Sequence, residues 1–273
     1  MCGFQAATTR GVPVSAEDLA VQLDSVVDRP ELLAGVGQVD LFNSGSFFAD
    51  DEVPPRARER MLRRLGVTGV RRVLVESRPE YVRCDAVAQA CAWLGPRAEL
   101  EVGIGLESAD ERVREVLVRK GFGREEFERA IDELRGTPAR LLVYLLLKPM
   151  GLDEREAIED GVASAQYVFA VAAARGVRAR VAFQPTFVAP GTALEQDFLA
   201  GRYLPPRLRS VVEVVRRTHA LGEITVGTSD EGLDPRMVPS GCARCTPVLR
   251  RALAELNRTQ DARVLDGPSC DCE

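Results

Sequence analysis

The feature that most constrains this chain is a strand, a polar tip and a helix in immediate succession at residues 100–122. Apolar side chains alternate over the first seven positions, which predicts a β-strand, and Glu107 and Ser108 follow where that strand ends. The next residues predict a helix that stops at Gly121. Helical spacing predicts its inward face: Val113, Val116 and Leu117.

The same unit recurs along the 273 residues without any β-hairpin signal. Apolar runs predict six strands, at residues 36–42, 71–75, 100–106, 141–147, 178–183 and 223–226. Helix signals lie between them, including a capping box that starts at Ser15 and a cap at Asp153. Strands that alternate with helices predict an α/β fold with a parallel sheet and helices outside it.

Polar residues follow the predicted strands at their C-terminal ends. In parallel α/β folds the ligands bind beyond this end of the sheet, so we interpret the tips as the candidate site. A single tip is equally well explained as a hydrated turn, but two carboxylates, an arginine and a lysine on one rim are a stronger signal. The candidates are Ser44, Gly45, Ser46, Glu76, Arg78, Glu107, Ser108, Lys148, Gln184 and Asp230.

Composition bears on several classes of function. The chain has one histidine, His219, on a predicted helix, so histidine-centred triads and histidine-rich metal sites are nearly excluded. It contains no run of 18 apolar residues and no signal-peptide pattern, which predicts a cytoplasmic protein without a membrane segment. The net charge of −5 argues weakly against a large nucleic-acid surface.

Six short segments carry a resemblance to a known family. They read MCGF at 1–4, ESRP at 76–79, VGIGLES at 102–108, RKGF at 119–122, YLLLKP at 144–149 and EREAIED at 154–160. The first resembles the end of the three-cysteine loop of radical S-adenosylmethionine (radical SAM) enzymes. The next two resemble the strand tips of the branch that contains the catalytic subunit of elongator. The last three are similar to the archaeosine-biosynthesis radical SAM proteins and their bacterial relatives.

The resemblance implies a partial (β/α)6 TIM-like barrel over residues 1–222 and a small cysteine-containing extension over residues 223–273. The first strand of the family's barrel precedes the cysteine loop, so this chain is expected to lack it. Three thiolates hold a [4Fe–4S] cluster that leaves one iron for S-adenosylmethionine, and only Cys2 is present at the loop. We expect a reading frame assigned too late, with two cysteines upstream; the alternative is a degenerate protein.

The resemblance also implies an activity and its residues. In such enzymes the cluster reduces S-adenosylmethionine to methionine and a 5′-deoxyadenosyl radical, which abstracts a substrate hydrogen, and the relatives imply tRNA or a nucleoside as the substrate. Cys2 is then the catalytic and cluster-binding residue. The loop 44–46 suits the amino group of the ligand, Arg78 or Lys148 its carboxylate, and Glu107 its ribose. The other tips line the same cofactor site.

Two close cysteine pairs lie near the C-terminus. Separated by a predicted helix, they suit a tetrahedral four-thiolate site, most simply structural zinc. A second iron–sulfur cluster or a redox pair is the alternative. Cys84 and Cys91 are seven residues apart on one helical face, which predicts core packing. The predicted metal ligands are Cys242, Cys245, Cys270 and Cys272.

Two other functions stay open from the residues alone. One is a non-catalytic binding protein derived from the radical SAM fold, and the other is a metal-independent lyase that uses Glu76, Glu107 and Lys148. A partner protein is a further option for contacting nucleic acid. Five arginines on one predicted helix suit phosphates, although a solvated helix face explains them better. These are Arg56, Arg58, Arg60, Arg63 and Arg64.

Overall fold

In the computed structural model, which describes residues 12, 14–228 and 232–266, six parallel strands pair in the order of the sequence. The strand positions read from the sequence are confirmed, and so is the α/β class. The strands are β1 (Gln38–Leu41), β2 (Arg72–Glu76), β3 (Glu99–Glu107), β4 (Arg140–Leu147), β5 (Ala179–Pro185) and β6 (Glu223–Val226).

Helices cover the outer face of the sheet, and both predicted caps are confirmed. The side chain of Ser15 accepts from the backbone N–H of Asp18, and that of Asp153 accepts from Glu156. No helix in the described ranges is long and apolar enough to cross a membrane. The α-helices are α1 (Ala16–Val27), α2 (Pro30–Leu33), α3 (Pro55–Gly66), α4 (Cys84–Leu94), α5 (Arg124–Leu134), α6 (Glu154–Ala174), α7 (Ala193–Leu199), α8 (Leu208–Thr218) and α9 (Cys245–Thr259).

The segment after β3 differs from its prediction. Arg112–Val118 is a π-helix, in which each turn contains more residues than in an α-helix. The α-helical face read from the sequence is therefore wrong: Val113 is buried and Leu117 is half-buried, but Val116 is 64% exposed. Arg114, which was not predicted to face inward, is buried on this segment.

A charged layer fills the inner face of the sheet near the N-terminal ends of the strands. Glu101 on β3 is completely buried, and Arg180 on β5 donates to both of its carboxylate oxygens, with Nε at 2.9 and 3.0 Å and Nη2 at 2.5 Å. Arg140 on β4 donates to Glu223 on β6 at 2.7 Å. We call Arg72, Glu101, Arg140, Arg180 and Glu223 the lumen charge layer.

Two contacts of this layer show that the sheet is curled. Arg180 on β5 lies 3.4 Å from Gln38 on β1, and Arg72 on β2 lies 3.5 Å from Glu223 on β6. Each contact joins strands four positions apart, which in a flat sheet are separated by about 19 Å. The sheet is therefore an open half-barrel, and the expected partial TIM-like barrel is confirmed.

Helix α9 covers the outer edge of β6 with two side-chain amides. Asn257 accepts from the backbone N–H of Val226 and donates to its carbonyl, at 2.9 and 2.8 Å. Gln260 does the same to Ile224, at 3.0 and 2.9 Å. These amides replace the hydrogen bonds of a further strand, which satisfies an edge that is otherwise open to pairing. We call Asn257 and Gln260 the edge clasp.

The predicted domain boundary at residue 222 stays a prediction. Beyond it, β6 continues the sheet by pairing with β5, and the apolar face of α9 joins the main core through Leu249, Leu253 and Leu256. At the other edge of the sheet, no described residue pairs with the outer side of β1.

The arginine-rich face of α3 contacts α1. Arg60 pairs with Glu17 at 2.7 Å and with Asp24 at 2.5 Å, and Arg64 pairs with Asp24 and Asp28. Much of this face is therefore a helix–helix contact, in place of the solvated face expected from the sequence.

Replacing Glu101 by Gln should lower the free energy of unfolding by about 3 kcal/mol, because the buried Arg180 guanidinium would lose its carboxylate. Glu99→Gln, on the same strand with a side chain 39% exposed, is the matched control and should cost less than about 1 kcal/mol. Urea unfolding of both variants measures the difference. Equal losses would contradict the role given to the lumen charge layer.

Replacing both residues of the edge clasp by Ala should leave the N–H groups of Ile224 and Val226 without partners, at a cost of about 1–3 kcal/mol each. Their amide hydrogens should exchange much faster in the double variant. Arg258→Ala is the control, since this side chain is 72% exposed and pairs with Glu255 on the helix surface. Unchanged protection of both amides in the double variant would be the contrary result.

Candidate functional site

The tips of the strands lie along the C-terminal end of the half-barrel, at the opposite end from the lumen charge layer. We call this end the mouth. Cys2, Asp230, Cys270 and Cys272 lie outside the described residues, so their predicted roles stay predictions. The other predicted tips are described one by one below.

Three predicted site residues have left-handed backbone. Ser44, Glu107 and Lys148 have φ angles of 56°, 67° and 57°. Ser44 lies in the loop after β1, Glu107 ends β3, and Lys148 directly follows β4. Such angles cost about 1 kcal/mol or more for a residue with a side chain, and they concentrate at functional sites. The fold therefore maintains an unfavourable backbone after β1, at the end of β3 and after β4, all at the mouth.

The loop after β1 is folded around one carboxylate. Glu52 accepts from the backbone N–H of Ser46 at 2.6 Å and from the Asn43 amide at 3.0 Å. Gly45 lies directly against it, since a Cβ at Gly45 would fall 1.6 Å from Glu52 Oε2. Ser46 is buried, whereas Ser44 is exposed and has the left-handed φ. Among the predicted ligand-binding residues 44–46, Ser44 is the exposed one.

Glu76 and Tyr144 meet over Gly103 inside the mouth. A Cβ at Gly103 would lie 3.2 Å from the Tyr144 ring and 3.5 Å from Glu76 Cγ. Burial raises the pKa of Glu76, and the Asp40 and Glu107 carboxylates act in the same direction, while hydrogen bonding from the Tyr144 hydroxyl opposes it. The Glu76 carboxyl group therefore keeps its proton to a higher pH than an exposed glutamate does.

Glu107 and Lys120 form an ion pair over Gly105. Lys120 Nζ donates to Glu107 Oε1 at 2.7 Å, and a Cβ at Gly105 would fall 2.6 Å from that oxygen and 2.7 Å from Nζ. A bulge between Gly105 and Glu107 shifts the pairing of β3 with β4 and turns Glu107 into this position. The two glycines of β3 therefore leave room for two pairs of polar side chains in the mouth.

Arg78 and Arg114 fix the loop that carries Lys120. Arg78 donates to the carbonyls of Lys120 and Gly121 at 3.3 and 3.4 Å, and its guanidinium stacks over the Phe122 ring at 5.6 Å. The buried Arg114 donates to the carbonyl of Phe122 at 3.0 Å. Arg78, predicted as a ligand contact, thus holds a loop of its own chain.

Lys148 also has partners within the chain. Its ammonium donates to Glu154 at 2.6 Å, and its side chain is 11% exposed. The Tyr203 hydroxyl donates to its carbonyl at 2.8 Å. Lys148 therefore ties the tip of β4 to the start of α6 and to the segment after α7.

Ser108 is buried and links β3 to α6. Its hydroxyl donates to Asp160 at 2.5 Å and accepts from the backbone N–H of Asp110 at 2.9 Å. Burial raises the pKa of Asp160 to about 6, against the opposing effect of this hydrogen bond. The geometry gives Ser108 a positioning role behind the mouth.

Gln184 lies at the tip of β5, and its side chain has few contacts within the described chain. It occupies the inner face of β5 beside Gly227, where a Cβ would lie 2.4 Å from its amide oxygen. Within residues 12, 14–228 and 232–266 its amide group makes no hydrogen bond, and it is half-buried. An amide so placed is suited to a polar ligand in the mouth.

The residues present at the mouth fit S-adenosylmethionine. That ligand carries a carboxylate, cationic groups and ribose hydroxyls. The mouth offers the ammonium of Lys120, the carboxylates of Glu76 and Glu107, and the amide of Gln184. For the iron–sulfur cluster, the part of the chain that the structure describes contains no group of three or more metal-binding side chains.

Cys242 and Cys245 lie side by side at the start of α9. Their sulfur atoms are 3.5 Å apart, longer than a disulfide and close to the about 3.8 Å between two thiolates on one tetrahedral zinc. Cys91 is half-buried, and burial raises the pKa of its thiol to about 11. The prediction that Cys84 packs in the core is wrong. Cys84 is exposed at the first position of α4, where its backbone N–H donates to the Glu133 carboxylate.

Sequence reasoning missed Lys120 and Tyr144 as mouth residues. Lys120 and Lys148 are the only lysines of the chain, which marked both as unusual. Tyr144 is the one residue with a polar group in the apolar run of β4, and it falls on the inner face of the sheet. The sequence shows that both residues are unusual, but it does not show their contacts. Tyr144 meets Glu76 of β2, and Lys120 reaches Glu107 across the π-helix.

Comparison with known proteins places the chain in a family. A Methanosarcina acetivorans protein named archaeosine synthase subunit beta is 30% identical over 100% of this chain and 77% of its own length. A protein of the same name from Thermococcus kodakarensis is 28% identical over 100% of this chain and 82% of its own length. No family model matches the chain.

A solved structure has the same fold. Elp3 from the archaeon Methanocaldococcus infernus, with residues 1–46 deleted, superimposes with a TM-score of 0.60 at 16% identity. The match covers 87% of this chain and 59% of that one. The chain therefore belongs to the family of archaeosine synthase subunit beta, with a radical SAM-like core that has the fold of Elp3.

Proposed function

We propose that this protein is a radical SAM enzyme of tRNA or nucleoside modification, working in the cytoplasm and binding S-adenosylmethionine in the mouth of the half-barrel. The observation that carries the proposal is the pair of polar contacts over Gly103 and Gly105. Glu76, Tyr144, Glu107 and Lys120 come from four different elements and meet where β3 has no side chains.

The residues of the mouth have separate roles in this proposal. Glu107 accepts from hydroxyl groups of the ribose, and the exposed hydroxyl of Ser44 faces the amino group of the ligand. Gln184 hydrogen-bonds the ligand from the far side of the mouth. The left-handed backbone at Ser44 and Glu107 sets these groups in place before the ligand arrives, which lowers the entropic cost of binding.

A [4Fe–4S] cluster held by Cys2 and two further thiolates is part of the proposal. When bound, such a cluster supplies the electron that splits the sulfonium into methionine and a 5′-deoxyadenosyl radical. The chain's own contribution is to orient the ligand and to limit water. The lumen charge layer and the apolar contact of Leu74, Leu142 and Ala182 cover the inner face of the sheet below the mouth, which supports limited access of water from that end.

The names of the relatives support a substrate class and a partner for this proposal. Two of them are named as a subunit of archaeosine synthase, which supports tRNA as the substrate and a second protein chain as a partner. We also propose that Cys242 and Cys245 join Cys270 and Cys272 around a structural zinc ion. The sulfur separation of 3.5 Å supports the first half of that site.

The test is production of 5′-deoxyadenosine by the natural full-length protein. The protein is loaded with iron and sulfide without oxygen, reduced with dithionite, and supplied with S-adenosylmethionine. We expect 5′-deoxyadenosine from the wild type and at least a hundredfold less from Cys2→Ser, because the cluster loses a ligand. Cys84→Ser, which removes an exposed thiol far from the loop in sequence, is the matched control and should keep full activity.

Two results would refute the proposed function. One is an iron-loaded wild-type protein that binds S-adenosylmethionine and yields no 5′-deoxyadenosine. The other is full activity in the Cys2→Ser variant.

A further inference from the structure

We propose that Arg155, Arg207 and Arg244 bind phosphates of the RNA substrate beside the mouth. We call these three residues the arginine rim. The inference rests on the proposed function, because it adds to that function the surface on which tRNA lies. The arginines that the sequence suggested for phosphate contacts are on α3, whereas the arginine rim lies at the starts of α6, α8 and α9.

The carboxylate of Glu154 connects two of these arginines to the mouth. It accepts from the Lys148 ammonium at 2.6 Å and from the backbone N–H of Arg207 at 3.2 Å. Arg155 is the next residue along α6. Because Lys148 directly follows β4, this part of the arginine rim stands beside a strand tip of the mouth.

A backbone contact brings the third arginine to the same region. Arg207 and Ser240 form an isolated parallel bridge, in which the N–H of Leu208 donates to the carbonyl of Ser240 at 3.0 Å. Arg244 follows Ser240 by four residues, a distance of at most about 14 Å even for fully extended chain. The arginine rim is therefore one surface, although its members are far apart in sequence.

The arginine rim is exposed, and its charges are not paired within the part of the chain that the structure describes. None of its guanidinium groups forms an ion pair or a hydrogen bond there. The carboxylates nearby already have partners: Glu154 pairs with Lys148, and Glu159 pairs with Arg217. Hydrogen bonding from Arg217 lowers the pKa of Glu159, and the charge of Arg155 adds a smaller effect.

Three other exposed arginines show the contrast. The side chains of Arg129, Arg258 and Arg263 are 71%, 72% and 87% exposed, yet each lies 3.2 Å or less from a carboxylate close to it in sequence. A phosphate that binds one of these arginines has to displace that carboxylate or accept its repulsion. A phosphate at the arginine rim meets guanidinium groups whose donors are available.

The chemistry of the arginine rim favours an RNA backbone. A guanidinium presents a planar fork of N–H donors that matches two phosphate oxygens. Three such groups on separate helices suit a polyanion, because every phosphate that they neutralise releases counterions into solution. The net charge of −5 does not oppose this, since charges farther away than about 8 Å are largely screened at physiological ionic strength.

The position of the arginine rim determines what it contributes to the reaction. Phosphate contacts fix the place and direction of a nucleic acid without reading its sequence. An enzyme that acts on a base has to turn that base out of its stack and into a pocket. A backbone held beside the pair of Lys148 and Glu154 leaves a neighbouring base free to enter the mouth. The arginine rim is thus a substrate-positioning surface.

The salt dependence of tRNA binding tests the arginine rim. Fluorescence anisotropy of an end-labelled tRNA transcript measures the dissociation constant of the natural full-length protein at salt concentrations from about 50 to about 200 mM. The triple variant Arg155→Gln, Arg207→Gln, Arg244→Gln should bind at least tenfold more weakly at the lowest salt concentration. Its slope of log affinity against log salt should be smaller by about 2 to 3, because each phosphate contact contributes roughly 0.7 to 0.9.

The matched control is the triple variant Arg129→Gln, Arg258→Gln, Arg263→Gln, which removes the same total charge. It should weaken binding less than about threefold, because those charges are already paired. Thermal unfolding of both variants checks that they are folded.

Equal losses of affinity in the two triple variants would assign the effect to total charge and overturn the arginine rim. An unchanged salt slope in the first variant would also overturn it. A wild type that binds no tRNA would overturn both the arginine rim and tRNA as the substrate. The radical SAM chemistry is tested separately by the production of 5′-deoxyadenosine, so the failure of one proposal is distinguishable from the failure of the other.

Discussion

The buried contact between Glu101 and Arg180 holds together strands that are not neighbours in the sheet. Parallel pairing alone gives a twisted layer whose edges lie far apart. Charged side chains from β2 to β6 meet across the inner face, and each would be costly to bury without its partner. The curled sheet therefore has a lower free energy than a flat one, because curling brings these charged side chains into contact. Curling also gathers the C-terminal ends of the strands into one mouth.

The charge balance at the mouth is opposite to that of the lumen charge layer below it. In the lumen charge layer arginines surround and neutralise Glu101, whereas at the mouth the carboxylates of Glu76 and Glu107 lie near the ammonium of Lys120. The lower layer is suited to stability, and the upper one retains polar groups for a ligand with positive and negative parts. Left-handed backbone at three tips is the energetic cost of that arrangement, and it is tolerated because the barrel fixes each strand firmly.

Much of this fold was readable from periodicity. All six strands, both helix caps and the convergence of the tips follow from apolar spacing and from the rule that parallel strands end together. The lumen charge layer was not foreseen, since Glu101 and Arg180 are simply polar residues within apolar strands until the sheet curls. The π-helix was not predicted either, because its wider turn exposes Val116 and buries Arg114, which does not follow the 3.6-residue period of an α-helix. Lys120 could not be placed because its position depends on that turn.

The most direct test of the account is hydrogen exchange of the full-length protein with and without saturating S-adenosylmethionine. A ligand in the mouth should slow the exchange of backbone amides at residues 103–108, 119–122 and 144–148, while residues at the N-terminal ends of the same strands stay unchanged. Protection at the N-terminal ends, or on the outer helices alone, would contradict the mouth as the binding site.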